Sequence, residues 1–390
     1  MKIVVLCDFY NETLEYQENI LTKYYVKHGH SVTIITSTFE SVFDFISDRH
    51  DKTMPEKVSF YDKTKIIRLK YLFNLMNRLR PFTSIYNILI QERPDVIYLH
   101  DIMLNIIEVV KYKKLHPNCK IILDYHADYS NSAKNWLSLK ILHGVIRKWF
   151  LDISKQYISK FFPVTPASAK FLNEVYGISY SDMELLPLGA DIDLAKETKN
   201  RQEGERLRKL FAIPEGDVVI FTGGKLTPAK KTELLIEAFK NLLQPNIHLF
   251  IVGDTSESDQ SYKDLLLSLC DGVPNIHFTG WISNIDTYAY LDMSDIAIFP
   301  ASQSILWQRS ISMGLPLVVG DTGGQDASYL NAYGNIISMQ HDQINVEIIQ
   351  KHLDNLIHDH ALRYEMALGA EKVTNELLNW DILINKTLLL

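Results

Sequence analysis

Phe299–Gly324 has the sequence FPASQSILWQRSISMGLPLVVGDTGG, and this stretch decides the fold. The apolar run Ile296–Pro300 predicts a buried strand that leads into small polar residues, and a helix is predicted from about Ile305. Gly314 suits the left-handed residue that commonly closes a helix, and Pro316–Val319 predicts a second buried strand. Strand, polar turn, helix and strand form half of a parallel α/β unit, so a ligand is expected outside the carboxyl ends of the strands.

The polar turn within this stretch has the composition of an anion site. Gln303 and Ser304 offer an amide and a hydroxyl. The backbone N–H groups of Ile305 and Leu306 lie at the predicted helix N-terminus, where phosphate groups commonly bind. The alternative is a capped helix in an ordinary sheet, and the rest of the chain favours the ligand site.

The composition is that of a globular chain. Its 390 residues suffice for two domains, 46% of them are hydrophobic, and the net charge at pH 7 is −7. The three cysteines form no metal or redox motif, which suits free thiols in a reducing cytosol. The N-terminal MKIVVLCDFY predicts a strand rather than a signal peptide, and no stretch is long and apolar enough to span a membrane. We therefore expect a cytoplasmic protein, and the negative charge argues against nucleic-acid binding.

The first half of the chain has the pattern of a doubly wound α/β sheet. The loop after the first predicted strand lacks glycine, so it is not a dinucleotide-binding fingerprint. Apolar runs separated by helical segments predict parallel strands. These runs are Lys2–Cys7, Ser31–Thr36, Val96–Leu99, Ile121–Tyr125 and Phe161–Val164.

Two histidines end predicted strands of this sheet. His126 lies between Asp124 and Asp128 at the edge where ligands bind, so we favour a functional role for it. His100 ends the preceding strand in the same way, but there we favour a structural role.

Two basic stretches, 63–80 and 134–160, carry apolar residues among their cations. In the segment 69–90, apolar residues recur at helical spacing, at Leu69, Leu72, Phe73, Met76 and Leu79. This pattern predicts an amphipathic helix lying on an anionic membrane, and the alternative is a surface helix with a solvated basic face. The second stretch is rich in aromatic residues, so we expect peripheral contact with the inner face of the cell membrane.

The second half begins with a polar segment after Gly189 that we predict to be a linker. A strand is then predicted at Asp217–Thr222, followed by Gly223-Gly224-Lys225 and by Lys230. The glycines permit close approach and the lysines neutralise charge, which predicts a cradle for a diphosphate. A solvated basic loop is the alternative. Further along, Trp281 follows another predicted strand, where its ring either packs in the core or flanks a flat base.

Taken in order, these motifs resemble those of the retaining glycosyltransferases of family 4, whose two facing Rossmann-like domains with parallel sheets define the GT-B fold. The resemblance spans nearly the whole chain, through HGHSVTIIT, DYHAD, FTGGKLTPAKK, GWISNID, SMGLPLVVGDTGG and NWD. TLEYQENIL further resembles a subgroup that acts on bacterial surface polysaccharides. The resemblance implies an acceptor-side domain of residues 1–188, a nucleotide-sugar-binding domain of residues 189–373, and a C-terminal helix in 374–390 that crosses back to complete the first domain.

The resemblance also implies the reaction. A sugar would pass, with retention of configuration, from a nucleotide diphosphate sugar (UDP-sugar favoured) to a hydroxyl of a glycan or lipid-linked acceptor, with no obligatory metal or other cofactor. Lys225, Lys230 and the turn Ser304–Leu306 would bind the diphosphate, and His126 would contact the transferred sugar. Trp281 and Ile282 would flank the base. The other implied site residues are Gly223, Gly224, Gln303, Gln308, Glu15, Tyr16 and Gln17.

One departure from the family concerns its pair of glutamates before the Gly-x-Pro element. The corresponding segment here, SQSILWQRSISMGLP, has no acidic residue. Gln308 or Arg309 takes the place of the second glutamate, and Gln303 and Ser304 are candidates for the first. A neutral amide binds a ribose hydroxyl more weakly than a carboxylate does. Two alternatives therefore stay open: a GT-B scaffold or sugar-nucleotide-binding subunit with impaired catalysis, and an epimerase or phosphorylase on the same fold.

Overall fold

The computed structural model describes residues 1–12, 16–41, 45, 54–133, 135–242, 244–256, 259–324 and 326–388. The chain forms two compact units. One comprises Met1–Pro187 together with Trp380–Leu390, and the other comprises Leu188–Asn379. Each unit is built on its own sheet.

The first unit alternates strands and helices from its first residues. Its elements in chain order are β1 (Lys2–Leu6), α1 (Gln17–Lys27), β2 (Ser31–Ser37), β3 (Lys57–Tyr61), β4 (Thr64–Leu69), α2 (Tyr86–Glu92), β5 (Val96–His100), α3 (Ile106–Leu115), β6 (Lys120–Tyr125), a π-helical stretch (Ser138–Arg147) that continues as α4 (Lys148–Ser154), β7 (Lys160–Pro163) and α5 (Pro166–Tyr176).

The sheet of the first unit has the strand order β3-β4-β2-β1-β5-β6-β7 in the described residues and is parallel except for the antiparallel edge strand β3. Ile3 of β1 lies opposite Val32 of β2 and Val96 of β5. Alternate side chains of β1 enter two separate cores, with Val4 and Leu6 in one and Ile3 in the other. A parallel strand buried on both faces is almost wholly apolar, which is why such strands were predictable from the sequence.

The second unit has the same kind of alternation. Its elements are α6 (Ile192–Asn200), α7 (Glu203–Leu210), β8 (Val218–Gly223), α8 (Thr232–Leu242), β9 (Ile247–Val252), α9 (Gln260–Cys270), β10 (Ile276–Gly280), α10 (Asn284–Met293), β11 (Ile296–Phe299), α11 (Leu306–Ser312), β12 (Leu317–Gly320), β13 (Ile336–Met339), α12 (Val346–His358) and α13 (His360–Val373).

The sheet of the second unit is parallel and has the order β10-β9-β8-β11-β12-β13 in the described residues. The winding direction reverses between β8 and β11, which are neighbours. In doubly wound sheets ligands bind at this switch point, outside the carboxyl ends of the strands. The corresponding switch point of the first sheet lies between β1 and β5.

The prediction of one amphipathic helix over 69–90 is wrong. Residues 70–85 form a loop that doubles back on itself through an antiparallel bridge between Tyr71 and Phe82, and a helix begins only with α2. Met76 and Asn77 both have a left-handed backbone, with φ values of 54° and 55°. Pro81 lacks the N–H that a helix interior needs. The helical spacing of the apolar residues was therefore coincidental.

The cations of 63–80 also do not form one solvated face. Four of them pair with carboxylates. These pairs are Lys65 with Glu92 (2.6 Å), Arg68 with Glu12 (3.0 Å), Lys70 with Glu56 (3.9 Å) and Arg80 with Asp8 (2.6 Å). Arg68 is only 1% exposed. Much of the basic character of this stretch thus serves the fold.

The predicted linker after Gly189 is also wrong. This polar segment forms α6 and α7 of the second unit, and Asp191 caps α6 by accepting a hydrogen bond from the N–H of Leu194 (3.2 Å). At the other end of the chain, α14 (Trp380–Leu388) packs with the first unit, where the Trp380 side chain is fully buried in a core shared with β1 and β2. No helix in the described part of the chain is long and apolar enough to cross a bilayer.

Candidate functional site

At the switch point of the second sheet, the loop after β8 meets the loop after β11. A Cβ on Gly223 would lie 2.2 Å from the carbonyl oxygen of Val252, so only glycine permits this close approach of the two strands. Gly224 has φ +103°, and a Cβ on it would lie 3.6 Å from both Lys230 Nζ and Ser304 Oγ. The structure therefore brings the predicted glycines, lysine and serine together.

Lys230 is a partly buried cation at this position, and its pKa differs from that of an ordinary lysine. It ends a short 3₁₀ turn, Pro228–Lys230, and forms no ion pair with the described residues. Burial lowers the pKa of its ammonium group to about 8. A cation withdrawn from water without a carboxylate partner is destabilised, so the position is prepared for an anion. Lys225 lies exposed in the same loop and adds a second positive charge.

The loop before α11 supplies the remaining polar groups. Ser304 Oγ accepts a hydrogen bond from the N–H of Leu306 (3.3 Å). One of the two N–H groups predicted to bind an anion is therefore already hydrogen-bonded within the chain. Gln308 is 1% exposed, and its amide lies 3.4 Å from the hydroxyl of Tyr329. Arg309 is also buried. Its guanidinium donates to the amide oxygen of Asn284 at 3.0 Å.

The predicted base-binding residues follow β10 at the same edge of the sheet. Trp281 is 59% exposed, whereas Ile282 packs partly against the core of the second unit. Ser283 then caps α10 by accepting from the N–H of Asp286 (3.0 Å). An exposed indole at the carboxyl edge of a parallel sheet is well placed to stack on a flat ring.

At the carboxyl edge of the first sheet, two histidines flank one buried carboxylate. Asp124 is fully buried, and its Oδ2 contacts Nε2 of His126 at 3.0 Å and Nδ1 of His100 at 3.2 Å. The hydroxyl of Tyr98 donates to the same oxygen at 2.8 Å. Nε2 of His100 lies 3.4 Å from Glu18. His100, for which we favoured a structural role, thus contacts the same carboxylate as His126.

The surroundings of Asp124 and His100 favour the charged form of both side chains. Burial raises the pKa of Asp124, but attraction from His100 and His126 outweighs burial and holds that pKa well below its usual range. Burial likewise lowers the pKa of His100, but Asp124 and Glu18 outweigh it and raise that pKa well above the ordinary value. Because Nε2 of His126 faces the carboxylate, its Nδ1 is the ring nitrogen left for a substrate.

The same three residues have the geometry of a metal-ligand set. Among the described residues, His100, Asp124 and His126 offer ligand atoms that all lie within 4.8 Å of one another. Sequence reasoning missed Asp124 as a member of the site. Its spacing of two from His126 was the available signal, because side chains two apart on a strand share a face.

The third predicted group is only partly described. Glu15 lies outside the described residues. Tyr16, just before α1, is 44% exposed. Gln17, in the first turn of α1, has both amide atoms buried without a hydrogen-bond partner in the described structure.

Two doubly wound α/β units, each with charged groups at its carboxyl edge, define the class of the chain as GT-B. The crystal structure of Anabaena HepE in complex with UDP matches it with a TM-score of 0.71 at 14% identity, covering 100% of this chain and 98% of HepE. WaaG, a glycosyltransferase involved in lipopolysaccharide biosynthesis, matches with a TM-score of 0.61 at 16% identity, covering 99% of this chain and 98% of WaaG. The predicted GT-B fold is confirmed.

Sequence families identify the chain more closely. Residues 20–194 match the model of Glycosyltransferase Family 4, and residues 216–353 match that of Glycosyl transferases group 1. The Escherichia coli UDP-Gal:alpha-D-GlcNAc-diphosphoundecaprenol alpha-1,3-galactosyltransferase is 20% identical over 285 residues, covering 68% of this chain and 67% of that enzyme. The chain belongs to glycosyltransferase family 4 and is a glycosyltransferase, as the resemblance implied.

Proposed function

We propose that this enzyme transfers a hexosyl group from a UDP-sugar, with retention of configuration, to a hydroxyl of a glycan or lipid-linked acceptor in bacterial surface-polysaccharide synthesis. The observation that carries the proposal is the ammonium group of Lys230, partly buried beside Gly224 and Ser304 without a carboxylate partner. Three relatives support the choice of donor and acceptor: HepE was crystallised with UDP-glucose, WaaG acts in lipopolysaccharide biosynthesis, and the E. coli relative glycosylates a diphosphoundecaprenol-linked sugar.

In the proposed reaction the bond between the anomeric carbon and the diphosphate breaks, and negative charge accumulates on the departing UDP. Lys230 and Lys225 would bind that diphosphate and stabilise the charge as it develops. Gly223 and Gly224 would let the phosphates approach the backbone. Gln303, Ile305, Leu306 and Gln308 would complete the donor pocket, and Trp281 with Ile282 would flank the uracil.

The two units take different roles in this proposal. The second unit binds the donor, and the first unit binds the acceptor. His126 would contact the transferred sugar through Nδ1, while Asp124 fixes its ring. Tyr16 and Gln17 would lie near the donor phosphate or the acceptor, and the buried, unpartnered amide of Gln17 is consistent with a polar ligand there.

A panel of nucleotides tests the donor assignment. UDP, GDP and ADP are compared at equal concentration by thermal shift, and UDP should raise the unfolding temperature most, since a ligand of the folded state stabilises it. Lys225→Ala and Lys230→Ala should remove the UDP shift. Lys209→Ala is the matched control, because it removes the same charge from an exposed site in α7. A full UDP shift in both site variants would refute the phosphate assignment.

Turnover separates the transferase from its alternatives. UDP release from UDP-glucose or UDP-galactose should require a hydroxyl acceptor. Acceptor-independent formation of an altered sugar would identify an epimerase, and a requirement for orthophosphate would identify a phosphorylase. Nucleotide binding without any turnover would identify a scaffold. This alternative is motivated by the absence of the two glutamates that are usual in the family.

We also propose that the first unit rests on an anionic membrane through a docking surface formed by two segments. The helix that spans 138–154 and the residue before it expose a stripe at four-residue spacing, namely Leu137, Ile141, Val145, Trp149 and Ile153. The loop 70–85 exposes Leu72, Phe73, Leu75 and Met76. A hydrogen bond from Arg147 to the carbonyl oxygen of Arg78 joins the two segments. Exposed apolar side chains that cluster on two neighbouring segments are typical of an interaction site, and the adjacent Lys140 and Lys148 favour anionic lipid.

Vesicle sedimentation tests the docking surface. The chain should bind vesicles that contain phosphatidylglycerol and should not bind pure phosphatidylcholine. The double variant Val145→Ser/Trp149→Ser should lose most of this binding. Leu210→Ser is the control, because Leu210 is 74% exposed in the second unit. If the wild type does not bind anionic vesicles, or if the double variant binds them as well as the wild type does, the membrane assignment fails.

A further inference from the structure

A pocket of about 270 Å³ opens at the switch point of the first sheet, and residues of the first unit alone line it. Asp101 after β5 and His126 after β6 form part of its wall. Arg78, Arg80 and Arg147 form another part. The family assignment and the donor site do not account for three arginines here.

Only one of these arginines is neutralised by a carboxylate. Arg80 pairs with Asp8 at 2.6 Å, and its guanidinium lies over the ring of Phe45. Neither Arg78 nor Arg147 forms an ion pair with the described residues. Nη2 of Arg147 lies 3.5 Å from the carbonyl oxygen of Arg78, and its Nε is buried without a hydrogen-bond partner. Two guanidinium groups therefore reach one pocket without a counter-charge of their own.

The acids of the pocket are already engaged. The carboxylate of Asp8 is held by Arg80, and Oδ1 of Asp101 accepts a hydrogen bond from the backbone N–H of His126 at 3.0 Å. His100, which also lines the pocket, lies between Asp124 and Glu18. The balance of charge at the pocket wall is therefore positive.

The pKa of a buried histidine next to the pocket is affected by the same two arginines. The ring nitrogens of His143 contact the hydroxyls of Ser132 (2.9 Å) and Tyr176 (2.7 Å). Burial, together with the charges of Arg147 and Arg78, lowers the pKa of His143 to about 4, while Asp101 opposes this shift. The two arginines are thus close enough to add to the effect of burial on His143.

We propose that this pocket binds a phosphate or diphosphate group of the acceptor substrate, and that Arg78 and Arg147 hold it. The inference deepens the proposed function and rests on the first unit being the acceptor side. A planar guanidinium donates two parallel hydrogen bonds to a phosphate, which gives both affinity and orientation. An acceptor anchored by this group would present a hydroxyl from a fixed position beside His126.

The same phosphate chemistry occurs in a lipid-linked diphosphate and in a soluble sugar phosphate. The docking surface favours the lipid, because Arg78 and Arg147 belong to its two segments and lie among its exposed apolar side chains. A diphosphate at the pocket would leave its lipid chain next to that surface.

Calorimetry on the full chain tests the inference. The protein is first saturated with UDP so that the donor site is filled, and is then titrated with inorganic diphosphate, farnesyl diphosphate or glucose 1-phosphate. Arg78→Gln and Arg147→Gln should each weaken binding by about tenfold to a hundredfold, the loss expected for a charged hydrogen bond. Arg147→Lys should recover part of it. Arg93→Gln is the control, because Arg93 precedes β5 and lies at the opposite edge of the sheet.

The outcomes separate the two ligand sources and the two proposals. Arginine-dependent binding that is tightest for farnesyl diphosphate supports a lipid-linked acceptor, and binding tightest for glucose 1-phosphate supports the pocket with a soluble acceptor. If no probe binds the UDP-saturated wild type, or if all bind the Arg78→Gln/Arg147→Gln double variant equally well, the inference is overturned. A wild type without a UDP thermal shift would instead refute the proposed function.

Discussion

Replacing Lys230 by methionine should stabilise the free protein and abolish donor binding. Burial lowers the pKa of Lys230 from 10.5 to about 8, and a difference of about 2.5 in pKa corresponds to roughly 3 kcal/mol. Because the folded-state pKa lies below the unfolded value, the charged group opposes folding at pH 7, and this penalty is relieved as pH rises from about 8 to 10.5. Lys230→Met should therefore raise the melting temperature at pH 7 by several degrees, at about 2–4 °C per kcal/mol for a unit of this size.

The lowered pKa of Lys230 also predicts that UDP binding is accompanied by proton uptake, which can be measured directly. In the free protein about half of the Lys230 side chains are deprotonated at pH 8. A bound diphosphate restores the charged form, so UDP binding should take up about half a proton per site at pH 8 and almost none at pH 6.5 to 7. Calorimetry in buffers of different ionisation enthalpy measures this uptake. UDP itself contributes little, because a terminal phosphate with a pKa of ~6 is already ionised at pH 8.

Two results would contradict this reasoning. One is UDP binding at pH 8 without proton uptake in the wild type. The other is a Lys230→Met variant that is less stable than the wild type and still binds UDP. Lys209→Met provides the comparison, since an exposed lysine in the same unit should change neither the proton uptake nor the UDP affinity.

Three further predictions concern the framework of the two sites. Asp124→Asn should cost about 3–5 kcal/mol, because it leaves the charged His100 beside a neutral amide; urea unfolding should show this, and the difference should shrink below about pH 4, where the depressed pKa of Asp124 no longer favours the fold. Gly253→Ala should weaken UDP binding, because its Cβ would lie 2.1 Å from the carbonyl oxygen of Gly224; in thermal shift, Gly272→Ala is the control, with a left-handed backbone but open space around it. Trp380→Ala should destabilise the first unit by about 3–5 kcal/mol in urea unfolding, as removal of a fully buried indole does.

The central strands of both sheets were predictable because each has two buried faces and hence a continuous apolar run. The region between β2 and α2 was not. The antiparallel edge strand β3 exposes Phe60 and Tyr61, so it lacks such a run. Arg68, in β4, interrupts the apolar pattern with a charge that only the folded chain neutralises, through Glu12. The false helix over 69–90 arose because exposed apolar residues of a loop have no fixed period, and a helical spacing can appear by chance.

The candidate site likewise contains residues that could be predicted from the sequence and residues that could not. Residues that follow a strand, such as Gly224, His126 and Trp281, could be placed at a ligand-binding edge by the topology rule for parallel sheets. Asp124 is hidden within an apolar strand, and its function depends on His100 from the neighbouring strand. Pairings between distant segments leave no local pattern, so sequence reasoning assigned His100 to the fold alone.

The presence or absence of a carboxylate partner indicates the role of a fully or partly buried cation in this chain. Arg68 and Arg80 each lie against a carboxylate of the same unit, which marks them as parts of the fold. Lys230 and Arg147 have no carboxylate among the described residues, so their desolvation is uncompensated in the free protein. Such groups lower the stability of the free protein, and an anion that is not part of the chain restores the balance. In the proposals made above, a diphosphate donor at Lys230 and a phosphorylated acceptor at Arg147 would each supply that charge. They would account for a cation without a carboxylate partner in each of the two units.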